Sequence, residues 1–203
     1  MRLALLLSGL LACGADDDDP ASGASSTGEL APPEIFYLPL TCGTHVRVGQ
    51  GNNNPFSHHD ELRHAFDLLL ALDTPVLAMA AGVVTHVNNQ VRPGDPCHDG
   101  GDEVCRPFAN FVVLRHGDGT STLYKHLNDA LVEVGAQLPR GALLGRSGTT
   151  GWSTTPHLHV MRMGPCADAE CPSIPLAFAD APGDGVPITG QDLTAMNCPD
   201  LPP

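Results

Sequence analysis

The residues best suited to chemistry in this chain are two histidines one position apart, His157 and His159, at the head of an apolar run, His157-Leu-His-Val-Met161. In a strand, alternate side chains share a face. His157 and His159 then point one way, and Leu158 points the other way into a core. Such a pair can offer one imidazole to a metal and the other to a reacting water. The competing reading is a pair of surface histidines on an edge strand. The stretch before them, Gly148-Thr-Thr-Gly-Trp-Ser-Thr-Thr-Pro156, contains no Gly-Lys-Ser/Thr sequence, so Gly148 and Gly151 read as turn glycines and not as a phosphate loop. Ser147 and Ser153 lack a nucleophile-elbow frame, which argues against a serine hydrolase. No His-Glu-x-x-His frame is present, so a metal-dependent hydrolysis here takes its base from a histidine.

The elements that must hold these groups are short. From Ile35 on, apolar runs recur between glycines and prolines. Thr44–Val48 alternates; Ala65–Ala71 reads as a buried strand; Thr74–Val87 reads as two strands bent at Ala81-Gly82. Asn110–His116 and Thr120–His126 flank Gly117-Asp-Gly119, a hairpin signal. By parity Tyr124 shares a face with His126 and is structural. Ala130–Val134, Ala142–Gly145 and His157–Met163 complete the set, and no segment holds a helical period. The pattern predicts an all-β domain, mostly antiparallel, a sandwich or open barrel with long loops. Residues 88 to 108 form a long loop carrying Cys97 and Cys105, of a length that is often functional. The tail from Ala177 to Pro203 is expected to wrap the domain without contributing chemistry. His45, His86, His98 and His116 have no partner at ligand spacing and read as surface or turn residues.

Composition narrows the function. The net charge is −13 with only 10 Lys and Arg in 203 residues, which argues against a nucleic-acid partner. Met1-Arg2 followed by Leu3–Cys13 reads as a secretory leader over residues 1–12, too short to span a bilayer. Leu10-Leu-Ala-Cys13 resembles a lipoprotein processing site, although Leu11 is larger than is usual there. That resemblance implies cleavage before Cys13 and lipidation of its thiol, with a membrane contact through the lipid only; the alternative is an ordinary leader. Residues 13–34 are rich in Asp, Ser, Gly and Ala and read as a solvated tether. The run Asp16–Asp19 lacks the spacing of a calcium loop. Residues 35–203 form the folded domain. With Cys13 assigned to the leader, six of the seven cysteines remain for disulfides. Sequence does not fix their connectivity; the expected pairs are Cys97 with Cys105, Cys166 with Cys171, and Cys42 with Cys198. A cysteine metal site is disfavoured, since no C-x-x-C pair is present.

Three separated segments, Ser57–Asp67, Leu123–Leu127 and Gly148–His159, together resemble the lysostaphin-type zinc metallopeptidases, which cut peptide bonds in bacterial cell walls. The match runs from about Ile35 to Met163. It is carried by His-Ala-Phe-Asp-Leu and Thr-Pro-Val-Leu-Ala, then Gly-Val-Val, Phe-Val-Val-Leu-Arg-His-Gly-Asp-Gly and Tyr-Lys-His-Leu, and last by Gly-Arg-Ser-Gly-Thr-Thr-Gly-Trp-Ser-Thr-Thr-Pro-His-Leu-His, in the family's order.

The resemblance implies a duplicated-hybrid-motif-like β fold and one Zn²⁺ per chain, with Asp67 and His159 as ligands and His126 and His157 as the catalytic histidines. Many members place the first ligand histidine four residues before the aspartate, where this chain has Arg63. His64 lies at the wrong parity for a regular strand. Other members carry that histidine upstream, and His58 fits that version, with His59 as the alternative. Two imidazoles and a carboxylate leave a fourth position open on a tetrahedral zinc, where water becomes a nucleophile near neutral pH. His157 is then the natural base, and His126 stabilises the oxyanion or assists proton transfer. The expected function is a zinc endopeptidase acting on peptidoglycan stem peptides or cross-bridges, monomeric and tethered in a bacterial envelope facing the periplasm. The alternative is an inactive domain of the same fold that binds cell wall or regulates another wall hydrolase.

Overall fold

The computed structural model describes residues 34–199. The expected leader, Cys13 and the tether up to residue 33 lie outside the described residues. Twelve strands follow in chain order. They are β1 (His45–Gln50), β2 (Phe66–Leu69), β3 (Pro75–Leu77), β4 (Gly82–Asn88), β5 (Phe111–Arg115) and β6 (Ser121–Lys125). Then come β7 (Leu127–Ala130), β8 (Gln137–Leu138), β9 (Leu143–Ser147), β10 (His157–Met163), β11 (Ser173–Ile174) and β12 (Asp192–Thr194). Among the described residues the only helices are two 3₁₀ segments, Asp60–Leu62 and Glu103–Phe108. The fold is all-β, as the sequence predicts.

A nine-stranded antiparallel sheet runs β12-β1-β2-β10-β6-β5-β4-β8, with β11 beside β10; β3-β9-β7 form a second sheet of three strands. The bend at Ala81-Gly82 thus sends β3 and β4 to different sheets. Alternation decides which residues fill the space between them. Phe66, Leu68, Val112, Leu114, Tyr124, Leu158 and Val160 of the large sheet meet Val76, Leu127, Ala130 and Leu144 of the small one in one core. Their strand neighbours Ala65, Val113, Leu123, Met161 and Met163 form a smaller apolar cluster on the opposite face. Period-two alternation is the reason: each central strand is apolar on both sides, and only the end of the second face near His157 and His159 is left for chemistry.

The hairpin around Gly117-Asp-Gly119 is present, with Gly119 at φ 84 and Asp118 Oδ1 accepting from the Thr120 N–H at 2.9 Å. Four expectations need correction. The second arm stops at Lys125, because His126 adopts φ 67 and breaks the strand. The strand expected over Ala130–Val134 starts earlier, as β7; beyond it Leu131 and Val134 are exposed. His116 is buried and not a surface residue. Its Nδ1–H donates to the Ala81 carbonyl at 2.8 Å, and its Nε2 lies 2.9 Å from the Thr122 hydroxyl. The 88–108 loop contains a 3₁₀ turn, capped by Asp102 and closed by a disulfide between Cys97 and Cys105. The other disulfides join Cys42 to Cys198 and Cys166 to Cys171. The tail wraps back as expected and adds β12 to β1.

Candidate metal centre

One ladder row organises the site. Gln50 on β1 faces Asp67 on β2, Asp67 faces His159 on β10, and His159 faces Lys125 on β6. All these side chains project from the second face, while Leu158 enters the core. Two loops complete the cluster. The 51–59 loop brings in His58, which is fully buried, and the break after β6 brings in His126. By strand parity His126 would have followed Tyr124 into the core; its left-handed backbone swings it to the other side. Tyr124 stays in the core, its oxygen accepting from the Met79 N–H at 2.9 Å, and burial pushes its pKa up to about 12.

Asp67 is the hub. Its Oδ1 lies 3.1 Å from His58 Nε2, 2.9 Å from His159 Nδ1 and 3.7 Å from His157 Nε2. Its Oδ2 accepts from Gln50 Nε2 at 2.6 Å, and Gln50 Oε1 accepts from the Ser57 hydroxyl at 3.2 Å. Burial disfavours the Asp67 carboxylate, but His159 and His58 outweigh it and hold its pKa well below the usual range.

Backbone carbonyls set the imidazole tautomers, because a carbonyl only accepts. His58 Nδ1 donates to Gly51 at 3.1 Å, His126 Nδ1 to Thr150 at 2.7 Å, and His157 Nδ1 to Thr155 at 2.7 Å. Each neutral ring therefore keeps a bare lone pair on Nε2. The His126 and His157 rings lie 4.6 Å apart, and the His58 and His159 rings 5.2 Å. Burial, with the charges of His157 and His159, holds the His126 pKa well below its ordinary value; burial also lowers that of His159.

This arrangement fits a cation. Lone pairs on His58 Nε2 and a carboxylate oxygen on Asp67 face each other inside the protein, which only a proton or a metal between them can satisfy. One atom each from His58, Asp67 and His159 lies within 4.8 Å of the others. Two imidazoles and one carboxylate are a catalytic zinc donor set. His59 stands apart, exposed and 2.8 Å from Asp60. His64 and Arg63 precede β2 and are not among the clustered ligands; the Arg63 guanidinium donates to the Asp60 carbonyl at 2.8 Å.

The profile of peptidase family M23 matches residues 61–166, more than half of the chain. The chain belongs to peptidase family M23. His58 lies just outside the span matched to M23, whereas Asp67, His126, His157 and His159 lie within it. The peptidoglycan DD-endopeptidase ShyA of Vibrio cholerae is 36% identical over 94 residues, covering 46% of this chain and 18% of that protein. Lysostaphin of Staphylococcus simulans is 28% identical over 157 residues, covering 72% of this chain and 29% of lysostaphin. The M23 chain thus spans well under half the length of these curated relatives. The catalytic domain of the prophage-encoded M23 protein EnpA from Enterococcus faecalis has the same fold, with a TM-score of 0.50, 20% identity, and coverage of 66% of this chain and 92% of that one.

Sequence reasoning missed several groups at the site: Gln50 and Ser57 behind Asp67, the Thr150 and Thr155 carbonyls behind the two histidines, and Lys125, whose Nζ meets Glu170 at 2.7 Å. Lys125 was within reach of the ladder logic, since alternation puts it on the face opposite the core residue Tyr124. The others depend on loop paths that no periodicity encodes. Gly151 is the turn glycine that the sequence predicts: its φ is 84, and Ala109 Cβ lies 2.7 Å from where its own Cβ would stand.

Proposed function

We propose that this chain is a zinc-dependent endopeptidase that hydrolyses peptide bonds in peptidoglycan stem peptides or cross-bridges. The observation that carries this reading is the convergence of His58, Asp67 and His159, with His58 Nε2 and His159 Nδ1 both on Asp67 Oδ1, beside two further imidazoles whose Nδ1 protons are committed to carbonyls. His58, Asp67 and His159 would hold one zinc per chain. Zinc supplies Lewis acidity there, acidifying water and polarising an amide carbonyl. His157 presents a free Nε2 on the same side as Asp67 Oδ1 and takes the proton from the attacking water. His126, 4.6 Å away ring to ring, offers a second Nε2 that relays a proton to the leaving amine. Thr150 and Thr155 keep both rings from flipping, so neither has to reorient during the reaction.

The similarity to ShyA of Vibrio cholerae, a peptidoglycan DD-endopeptidase, supports the substrate class. The three disulfides suit an oxidising compartment; with the leader and Cys13, they support export and a lipid anchor facing the periplasm. The test is digestion of purified peptidoglycan by the full chain loaded with zinc, read as new amine termini. His159→Ala should abolish zinc binding and cleavage together, whereas His157→Ala and His126→Ala should keep zinc and lose cleavage by at least about 100-fold. Stoichiometric zinc with no cleavage by the native chain would replace this reading with a non-catalytic wall-binding domain.

A further inference from the structure

We infer that Arg106 recognises a carboxylate of the substrate, so that the peptide taken by this site carries a free carboxyl group beside the bond to be cut. The inference rests on the peptidase reading above. The pocket lined by Asp67, His126, His157 and His159 continues into a groove past Ser57 and Leu62, and Arg106 lines both parts. Two cations stand in this groove, in a chain whose net charge is −13. Lys125 is already neutralised, its Nζ 2.7 Å from Glu170. Arg106 has no ion pair and no hydrogen bond among the described residues. Its guanidinium carbon lies over an aromatic face, 5.0 Å from the centre of the Trp152 ring.

The position is built and not incidental. The Cys97–Cys105 disulfide closes the loop immediately before Arg106, and Pro107 immediately after it fixes the backbone. The Gly101 N–H donates to the Ser153 carbonyl at 3.2 Å, and the Gly151 N–H donates to the Cys97 carbonyl at 2.8 Å. The loop is thereby seated on the segment that also carries Thr150, Trp152 and Ser153. Held over an aromatic ring and not by an acceptor, the guanidinium keeps N–H donors that can bind a carboxylate through two parallel bonds. An acidic chain has carboxylates in excess to pair with an exposed arginine, yet among the described residues none forms an ion pair with this one; Glu170 feels its charge but is bonded to Lys125. Stem peptides offer such a partner in the free carboxyl groups near their cross-links.

The experiment uses a cross-linked stem-peptide dimer with its free carboxyl group next to the link and the same dimer with that carboxyl converted to an amide. Dissociation constants are measured with zinc-loaded full chain carrying His157→Ala, which prevents turnover, with and without Arg106→Ala; cleavage rates are measured in the otherwise native chain. We expect the free acid to bind about tenfold tighter than the amide, a charge-assisted bond at a solvent-exposed site. Arg106→Ala should abolish that preference without weakening the amide, and Arg106→Lys should restore only part of it. Zinc content and melting temperature should be unchanged, because Arg106 is exposed. An equal loss for both dimers would make Arg106 a clamp for Trp152 only and overturn the inference, as would a native chain with no preference. An Arg106-dependent preference in binding with no cleavage by the native chain would keep the inference and sink the peptidase reading.

Discussion

Gln50 illustrates how one side chain decides what a carboxylate can do. Asp67 has two oxygens, and the Gln50 amide takes Oδ2 at 2.6 Å, leaving Oδ1 between the imidazoles. Ser57 in turn holds the other end of Gln50. Partners behind a metal ligand tune affinity by orienting it. Gln50→Ala should therefore weaken zinc binding about 10- to 100-fold, measured by competition with a chromophoric chelator; unchanged affinity would mean that the carboxylate orients itself. The first histidine can be assigned by the same measurement. His58 is buried on Asp67 while the His59 side chain is 58% exposed. Zinc should be lost from His58→Ala and kept at full stoichiometry in His59→Ala, and the reverse result would move the ligand to the neighbouring position.

At the scale of elements, the sheet was legible where side chains alternate and illegible where the backbone breaks. Parity put His157 and His159 on one face and Leu158 in the core, and the ladder bears this out, since His159 pairs with Asp67 across β10 and β2. The same logic sent His126 to the face of Tyr124, because nothing in Tyr-Lys-His-Leu announces a left-handed residue. The ends of β6 and β7 depart from the predicted strands for the same reason. His58 was legible only through resemblance, as it arrives on a loop and not on a strand. The break makes its own prediction. A side chain with a Cβ costs about 1–2 kcal/mol in the left-handed region, and glycine escapes that cost. His126 sits there at φ 67. His126→Gly should thus unfold at a higher urea concentration than His126→Ala, although both remove the same imidazole. A lower midpoint for the glycine variant would show that position 126 leaves the left-handed region once the imidazole is gone.

Over the whole molecule, the disulfides divide between holding the fold and shaping the groove. Cys42 and Cys198 are 156 residues apart and bracket the β1–β12 ladder, in which His45 faces Thr194. Asn197 beside Cys198 donates to the Leu38 and Ala78 carbonyls, at 3.3 and 3.1 Å, so the tail is seated on the segment before β1 and on the end of β3. Cys166 and Cys171 are only 5 residues apart, and the loop they close carries Glu170 to Lys125 at the groove. Loop entropy gives a long closure about 5 kcal/mol of stabilisation and a very short one about 2 kcal/mol. Replacing Cys42 and Cys198 by serine should accordingly cost about 2–5 kcal/mol of unfolding free energy and lower the denaturation midpoint with little change in the affinity of the folded fraction for substrate. Replacing Cys166 and Cys171 should cost less stability but raise the KM, because Glu170 then no longer holds Lys125 in place. Denaturant titration and steady-state kinetics on the two double variants separate these effects. Equal stability losses would show that the terminal disulfide merely joins strands already held by their ladder and by Asn197.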